Sequence, residues 1–264
     1  SGSTLLFETL AVTPQFQTLG GEAHWLVEGI EQLRPGEKDV DSNRLTEQHF
    51  TNDIAEKIIN TISTHLQQAH ISVNQTQTIR LLEKTPKNAL RIPFFNRIFP
   101  DALFIFLWRA PQSNISSIME AWRSGKWITY NGLPGTSSPW SLLLPPGWQF
   151  ICNQPLENIA AYQWECTNRM VLSDLAALDS RRWCALNYEA FVKEPRSAIE
   201  RLCNFMEVDF DAALSARVSA ALPLSRFTHT PPSPEKWRIN AEAIERIMPY
   251  VTVTWNRLKA LNDA

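Results

Sequence analysis

From Asn52 to His70 the apolar residues Ile54, Ile58, Ile59, Ile62 and Leu66 recur at the spacing of one helical face, with Asn52 placed to cap it. The same period predicts helices over Asn158–Leu178, Pro195–Met206 and Asn240–Leu261. In Pro195–Met206, Ile199, Leu202, Cys203 and Met206 share a face. A polar turn, Ser1-Gly2-Ser3-Thr4, runs into a helix carrying Leu5, Leu6 and Leu10. Another helix spans Asn88–Phe99, with Pro93 either starting its regular part or kinking it. Elsewhere the apolar residues run together. Ala102–Trp108 is nearly unbroken, as in a parallel strand covered on both faces. Thr78–Leu82 and Arg182–Asn187 are shorter strands of similar kind. Pro111 suits the first position of a helix that continues to Arg123. Strands alternate with helices, so the class is α/β with a mostly parallel sheet.

Between Gly125 and Trp148 the pattern breaks into glycines, prolines and tryptophans, among them Trp127, Trp140 and Trp148. A loop of this length in a compact domain is functional or disordered, and its aromatic content argues for order. It reads as a lid or a substrate-binding wall. Pro223–Pro234 is basic and proline-rich and leads into Glu235-Lys236-Trp237-Arg238. No internal repeat or low-complexity segment interrupts the chain, which reads as one domain over residues 1–264.

The composition is that of a soluble globular protein: 44% hydrophobic, 20% charged, formal net charge −2. That balance excludes a global attraction to nucleic acid or an acidic membrane, so any anion site is local. Ala102–Trp108 falls far short of the ~18 apolar residues that span a bilayer. No membrane span, secretory signal or nucleic-acid signature appears, and the expected location is the cytoplasm. The sequence begins at Ser1 without a methionine, so a Golgi-lumenal protein whose upstream anchor was removed is the alternative. Cys152, Cys166, Cys184 and Cys203 form no CxxC pair and stand beside no histidine at ligand spacing. They are buried thiols, or form one or two disulfides. Asn74 and Asn114 begin glycosylation patterns of the kind that occur by chance in a chain this long.

In open parallel sheets ligands bind beyond the carboxyl ends of the strands. Lys84 follows one predicted strand, Arg109 the next and Tyr188 a third. The Ser1–Thr4 turn stands where an earlier strand would end. A small hydroxyl-rich turn at a helix start offers N–H and O–H groups to a phosphate. Arg109 presents a planar fork to a second anionic group, with Ser117 eight positions on. Lys84 is a compact charge suited to a transferring group, and Tyr188 has a ring for a base. Each residue alone also reads as ordinary structure: a helix-flanking lysine, a surface ion pair, a packed tyrosine. No Walker pattern is present, since Gly125-Lys126 is followed by Trp127. That argues against a P-loop kinase and against a magnesium-dependent mechanism.

Together these residues resemble the sulfotransferase family, in its bacterial-type and protein-tyrosine branch. Ser1-Gly2-Ser3-Thr4 is similar to the family's 5′-phosphosulfate loop, although the basic residue and the first strand expected before it would lie upstream of Ser1. Glu83-Lys84-Thr85-Pro86 resembles the segment with the catalytic lysine, and Arg109 with Ser117 the 3′-phosphate motif. Tyr188-Glu189 resembles the pair near the adenine, and Lys236-Trp237-Arg238, with Ser225 upstream, the segment that closes over the nucleotide. The resemblance implies a P-loop-like three-layer α/β/α fold. It also implies 3′-phosphoadenosine 5′-phosphosulfate as co-substrate, 3′-phosphoadenosine 5′-phosphate as product, and no metal. Where cytosolic phenol sulfotransferases carry histidine, this chain has Pro86, so the general base is sought elsewhere. Glu22 is the first candidate, with His24 and His229 behind it. The acceptor is left open among small molecules, carrier-tethered chains, lipids, glycans and peptides, with an apolar or aromatic one favoured by the tryptophan loop. The competing readings are a nucleotide-binding module without catalysis and a nucleotide kinase of related fold.

Overall fold

The strands are short and pair locally. In the computed structural model, residues 2–37, 40–69, 79–136, 138–224, 233 and 235–261 are described. The strands are β1 (Gln17–Thr18), β2 (Leu81–Leu82), β3 (Phe104–Trp108), β4 (Ile128–Tyr130), β5 (Trp140–Ser141) and β6 (Trp183–Asn187). β1 pairs with β2 and β3 with β6, both parallel, while β4 and β5 form an antiparallel hairpin. The expected mostly parallel sheet is thus present as two parallel pairs. β1 and β2 share only two residue pairs, and among the described residues neither pairs with β3.

The helices are α1 (Ser3–Leu10), α2 (His24–Glu28), α3 (Asn52–Gln68), α4 (Ile92–Ile98) and α5 (Pro111–Arg123). They continue with α6 (Leu156–Ala176), α7 (Tyr188–Lys193), α8 (Pro195–Met206), α9 (Ala212–Arg217) and α10 (Ala241–Ala260). The alternation of side chains along a strand sorts them into layers. Ile105, Leu107, Cys184 and Leu186 pack with α1 and α8 through Leu5, Leu10, Ile199 and Leu202. Phe106, Trp108 and Ala185 pack on the other side with α5, α6 and α10 through Ile115, Met119, Trp164, Ile244 and Val251. The β3–β6 pair is therefore sandwiched between helical layers, the α/β/α arrangement expected from the sequence.

Several boundaries shift. β3 starts at Phe104 rather than Ala102, and Phe104–Leu107 are only half-buried. Among the described residues β3 is hydrogen-bonded on one side alone, so its other edge leaves it partly open. Thr51, not Asn52, caps α3, its hydroxyl accepting the Ile54 N–H at 3.2 Å. The segment predicted as one helix over Asn88–Phe99 is a 3-10 turn, Pro86–Leu90, followed by α4 with Pro93 in its first turn. All four cysteines are free thiols. Among the described residues no helix is long and apolar enough to cross a membrane.

The described residues of 125–148 pack around a small core of their own. Trp140 and Trp148 are each 2% exposed and pack with Leu133, Leu144 and Ile159 of α6. Trp140 meets Trp122 and Trp148 edge-on, at 5.1 and 5.8 Å between centroids. These two indoles therefore hold the hairpin onto α6 instead of presenting an aromatic face to solvent. That removes them from the argument for an aromatic acceptor. Trp140→Ala should cost about 3–5 kcal/mol of unfolding free energy, read from a urea denaturation midpoint.

Candidate active site

Register brings the predicted residues together in two groups. Thr18 lies opposite Leu82 in the β1–β2 pair. Beyond that edge the first strand turns through Gly20, at φ 80°, toward Glu22 and α2, and the second runs on into Glu83 and Lys84. The Lys84 ammonium donates to Glu22 Oε1 at 2.5 Å and to Thr4 Oγ1 at 3.0 Å. The other Glu22 oxygen, Oε2, lies 2.9 Å from His24 Nε2. The three side chains are 13%, 23% and 38% exposed for Lys84, Glu22 and His24, so the chain of contacts opens to solvent at its histidine end. Burial works to raise the Glu22 carboxyl. The hydrogen bonds from His24 and Lys84 outweigh it and hold the group below the usual glutamate value.

Thr85 fixes this group in place. Its hydroxyl accepts the Ala23 N–H at 2.9 Å and donates to Glu83 Oε1 at 2.5 Å. Asn88 reaches the other Glu83 oxygen at 2.8 Å. The segment carrying Glu22 and His24 is thereby tied to the segment carrying Lys84. Burial raises the Glu83 carboxyl by more than these hydrogen bonds lower it.

The second group forms at the β3–β6 edge, where Trp108 lies opposite Asn187. The next residues, Arg109 and Tyr188, meet there, with the guanidinium 4.8 Å from the centre of the ring. Arg109 Nη1 lies 3.5 Å from Ser117 Oγ, whose own proton goes to the Ser113 carbonyl at 2.8 Å. Nearly two turns of α5 thus bring the serine back to the arginine. Arg109 Nε is buried and makes no hydrogen bond among the described residues; Glu189 Oε1 stands 3.8 Å away, at ion-pair distance. A buried guanidinium N–H left unpaired is costly unless another acceptor arrives.

The start of α1 joins the two groups. Gly2 has φ 85°, and a Cβ built there would come within 2.2 Å of Tyr188 Cε2. Only glycine permits both the backbone and the close approach. Two residues later Thr4 accepts from Lys84. The helix begins at Ser3, so Ser3 and Thr4 lie in its first turn rather than in a separate loop.

Lys236, Trp237 and Arg238 belong to a 3-10 turn, Lys236–Asn240, that rests on α5. Trp237 joins the core around Trp108 and Ile115, and Asn240 donates to Ser116 Oγ at 2.9 Å. Arg238 is engaged by Glu235 and stands over the Trp237 ring. Ser1, Ser225 and His229 lie outside the described residues. Among the described residues no cluster of three or more histidine, cysteine, aspartate or glutamate side chains is arranged to hold a metal ion.

Sequence reasoning missed a polar cluster directly behind Lys84. Lys87 donates to both Glu28 oxygens, at 2.8 and 2.9 Å, and to Tyr130 Oη at 2.7 Å. Arg91 adds a third hydrogen bond to Glu28 at 3.0 Å, and Asn43 donates to Tyr130 Oη at 2.6 Å. Lys87 and Arg91 are buried. Tyr130 belongs to β4, so the cluster anchors the 125–148 hairpin to the Lys84 segment. A lysine and an arginine four apart, just after Lys84, were the local signal. Their partners lie 59 and 43 residues from Lys87 and meet it only on folding.

A model of the sulfotransferase family matches residues 1–212. The chain belongs to that family. Its fold is shared with solved sulfotransferases. A sulfotransferase domain from the curacin biosynthetic pathway aligns at TM-score 0.53 and 19% identity, over 96% of this chain and 94% of that one. One from the Synechococcus PCC 7002 olefin synthase aligns at 0.52 and 20%, over 94% and 90%. A sulfotransferase from Alicyclobacillus acidocaldarius aligns at 0.52 and 15%, over 99% and 90%. No curated protein matches the sequence. At such identities the agreement is one of fold, and the P-loop-like α/β framework of the family is what the strand pairs and helical layers build here.

In this sulfotransferase-family fold the Glu28 cluster makes stability depend on pH. Burial works to raise the Glu28 carboxyl, and the hydrogen bonds and charges of Lys87 and Arg91 overcome it to hold the group below the usual glutamate value. The folded state then binds this proton less readily than the unfolded chain. The stabilisation is full above the ordinary glutamate value and fades as pH falls through the lower folded one. Chemical denaturation from pH 6 down to pH 3 (approximate limits of that window) should show this loss in the wild type. Glu28→Gln should start less stable and show a shallower decline.

Proposed function

We propose that this protein transfers a sulfuryl group from 3′-phosphoadenosine 5′-phosphosulfate to an acceptor hydroxyl or amine by in-line displacement. One observation carries the reading. The turn at Gly2–Thr4 touches Lys84 on one side and Tyr188 on the other, so a single nucleotide laid along it would meet both groups. The buried Arg109 Nε, without a hydrogen bond among the described residues, supports an anionic partner at that end, and the glycine-tight start of α1 supports a phosphate at its N–H groups.

In this account Arg109 and Ser117 grip the 3′-phosphate, which does not react. Tyr188 lies against the adenine region, and Gly2, Ser3 and Thr4 hold the 5′-phosphate, with Ser1 before them. Lys236, Trp237 and Arg238 close over the nucleotide. Glu22 takes the acceptor's proton while a lone pair of the acceptor oxygen or nitrogen forms the new bond to sulfur. The bond from sulfur to the bridging oxygen breaks, and its electron pair leaves on the 5′-phosphate of 3′-phosphoadenosine 5′-phosphate. Lys84 neutralises the charge that grows on the bridging and leaving oxygens. Positioning and charge stabilisation do the work, by analogy with loose phosphoryl transfer. His24 shares the Glu22 carboxylate and is the second candidate for the proton. The chain's own groups are assigned every step, so no metal has a part. The acceptor would be a small molecule or a carrier-tethered, lipid, glycan or peptide chain, met along the 125–148 hairpin.

Incubation with isotopically labelled donor, without added metal, in a cell extract that supplies acceptors should yield labelled products resolvable by mass spectrometry. Transfer from ATP instead would favour a kinase, and nucleotide binding with no transfer would favour a non-catalytic module. Lys84→Ala should lower turnover on the order of 10²-fold while donor binding is largely kept; full activity would remove the lysine from the mechanism. Arg109→Ala should weaken donor binding and erase the preference for a nucleotide bearing a 3′-phosphate. Calorimetric titration with adenosine 5′-phosphosulfate beside its 3′-phosphorylated form reads that preference, and a preference that persists would refute the assignment.

A further inference from the structure

The Lys84–Glu22 contact has a consequence for how the reaction is timed. At 2.5 Å it is the shortest contact Lys84 makes, and both groups are mostly buried. Each Glu22 oxygen is engaged, Oε1 by Lys84 and Oε2 by His24. In this arrangement the carboxylate is a poor proton acceptor, because its charge is already satisfied by a cation. The lysine is equally committed, with one N–H on Glu22 and one on Thr4.

We infer that the Lys84–Glu22 ion pair is a latch released by the donor. The inference rests on the sulfotransferase reading and says in what order the site becomes competent. A phosphosulfate lying along Gly2–Thr4 brings several anionic oxygens to the ammonium that Glu22 holds. Donor and glutamate then compete for one cation, which can be held by only one of them at close range. The donor, anchored also at Arg109 and along α1, takes Lys84. Glu22 swings free on its Oε1 side and stays oriented by His24 through Oε2. Its carboxylate becomes available to the acceptor's proton only after the sulfuryl group is in place. Without donor the base is masked. His24 suits the retaining role: its ring touches Glu22 through Nε2, while Nδ1 is buried without a hydrogen bond among the described residues, so that nitrogen adds no second tether.

The latch makes a prediction opposite to ordinary loss of a site residue. Removing the proposed base should tighten donor binding, because Lys84 no longer has to be won from it. The test is isothermal titration of the wild type, Glu22→Gln, Lys84→Met and the double variant with 3′-phosphoadenosine 5′-phosphosulfate. Glu22→Gln should bind it about three- to tenfold more tightly than the wild type, the size expected for giving up one partly screened ion pair. In the Lys84→Met background the same change should bring little or no tightening, since no pair remains to be broken.

Equal tightening in both backgrounds would mean simple charge repulsion and would overturn the latch, as would unchanged or weaker binding by Glu22→Gln. His24→Asn, which leaves the ion pair in place, should not tighten binding; tightening there would also count against the latch. If Glu22→Gln shows no cooperative melting transition, Glu22→Asp takes its place, its shorter side chain drawing the carboxylate away from Lys84, with the same pattern expected. If the wild type binds neither 3′-phosphoadenosine 5′-phosphosulfate nor 3′-phosphoadenosine 5′-phosphate, the sulfotransferase reading itself fails and the latch with it. Binding without the double-variant pattern overturns the latch alone.

Discussion

The seat of the first turn of α1 is the constraint on which the candidate site depends. Gly2 lies so close to the Tyr188 ring that no side chain fits between them, and Thr4 lies within a hydrogen bond of Lys84. Without that turn the molecule has two separate clusters, one beyond β1 and β2 and one beyond β3 and β6. With it, a lysine–glutamate–histidine chain and an arginine–serine–tyrosine group share one border. The apolar side of α1 secures the seat, since Leu5, Leu6 and Leu10 are buried against β3, β6 and α8. Core packing on one face of the helix thus positions the polar start of the same helix.

The rest of the architecture serves the two edges. Parallel pairing makes neighbouring strands end together, which is why Arg109 and Tyr188 emerge side by side. Thr85 and Asn88 hold Glu83 and, through it, the Lys84 segment. The cluster of Glu28, Lys87, Arg91, Asn43 and Tyr130 extends that hold to the 125–148 hairpin. Breaking one member of such a buried set leaves its partners charged and unpaired, so the set is costly to disturb. Its place between Lys84 and the hairpin sets the hairpin at a fixed distance from the proposed chemistry.

Much of this was legible in the sequence because it is local. The helical periods of α3 and α8, the proline that starts α5, the unbroken apolar run of β3, and the arginine and serine eight apart all report on neighbours along the chain. The positions of Lys84, Arg109 and Tyr188 followed from one rule about strand ends. What was not legible depends on contacts distant in sequence. The Glu28 cluster joins four separate segments, around residues 28, 43, 87–91 and 130, and nothing near Tyr130 marks it as a partner of Lys87. The tryptophans of the hairpin misled for a related reason: their number suggested a binding face, whereas Trp140 and Trp148 fill the hairpin's own core. The division of the sheet into two pairs also escaped sequence reasoning, because a two-residue strand such as β1 has no periodicity to read.

The central claim is that Gly2–Thr4, Lys84 and Arg109 with Ser117 are parts of one nucleotide site. A crystal structure of the protein with 3′-phosphoadenosine 5′-phosphate tests it most directly. The account predicts the 3′-phosphate on Arg109 and Ser117, the 5′-phosphate at the start of α1 facing Lys84, and the adenine near Tyr188. A nucleotide bound elsewhere, or bound with its two phosphates exchanged between these groups, would contradict it.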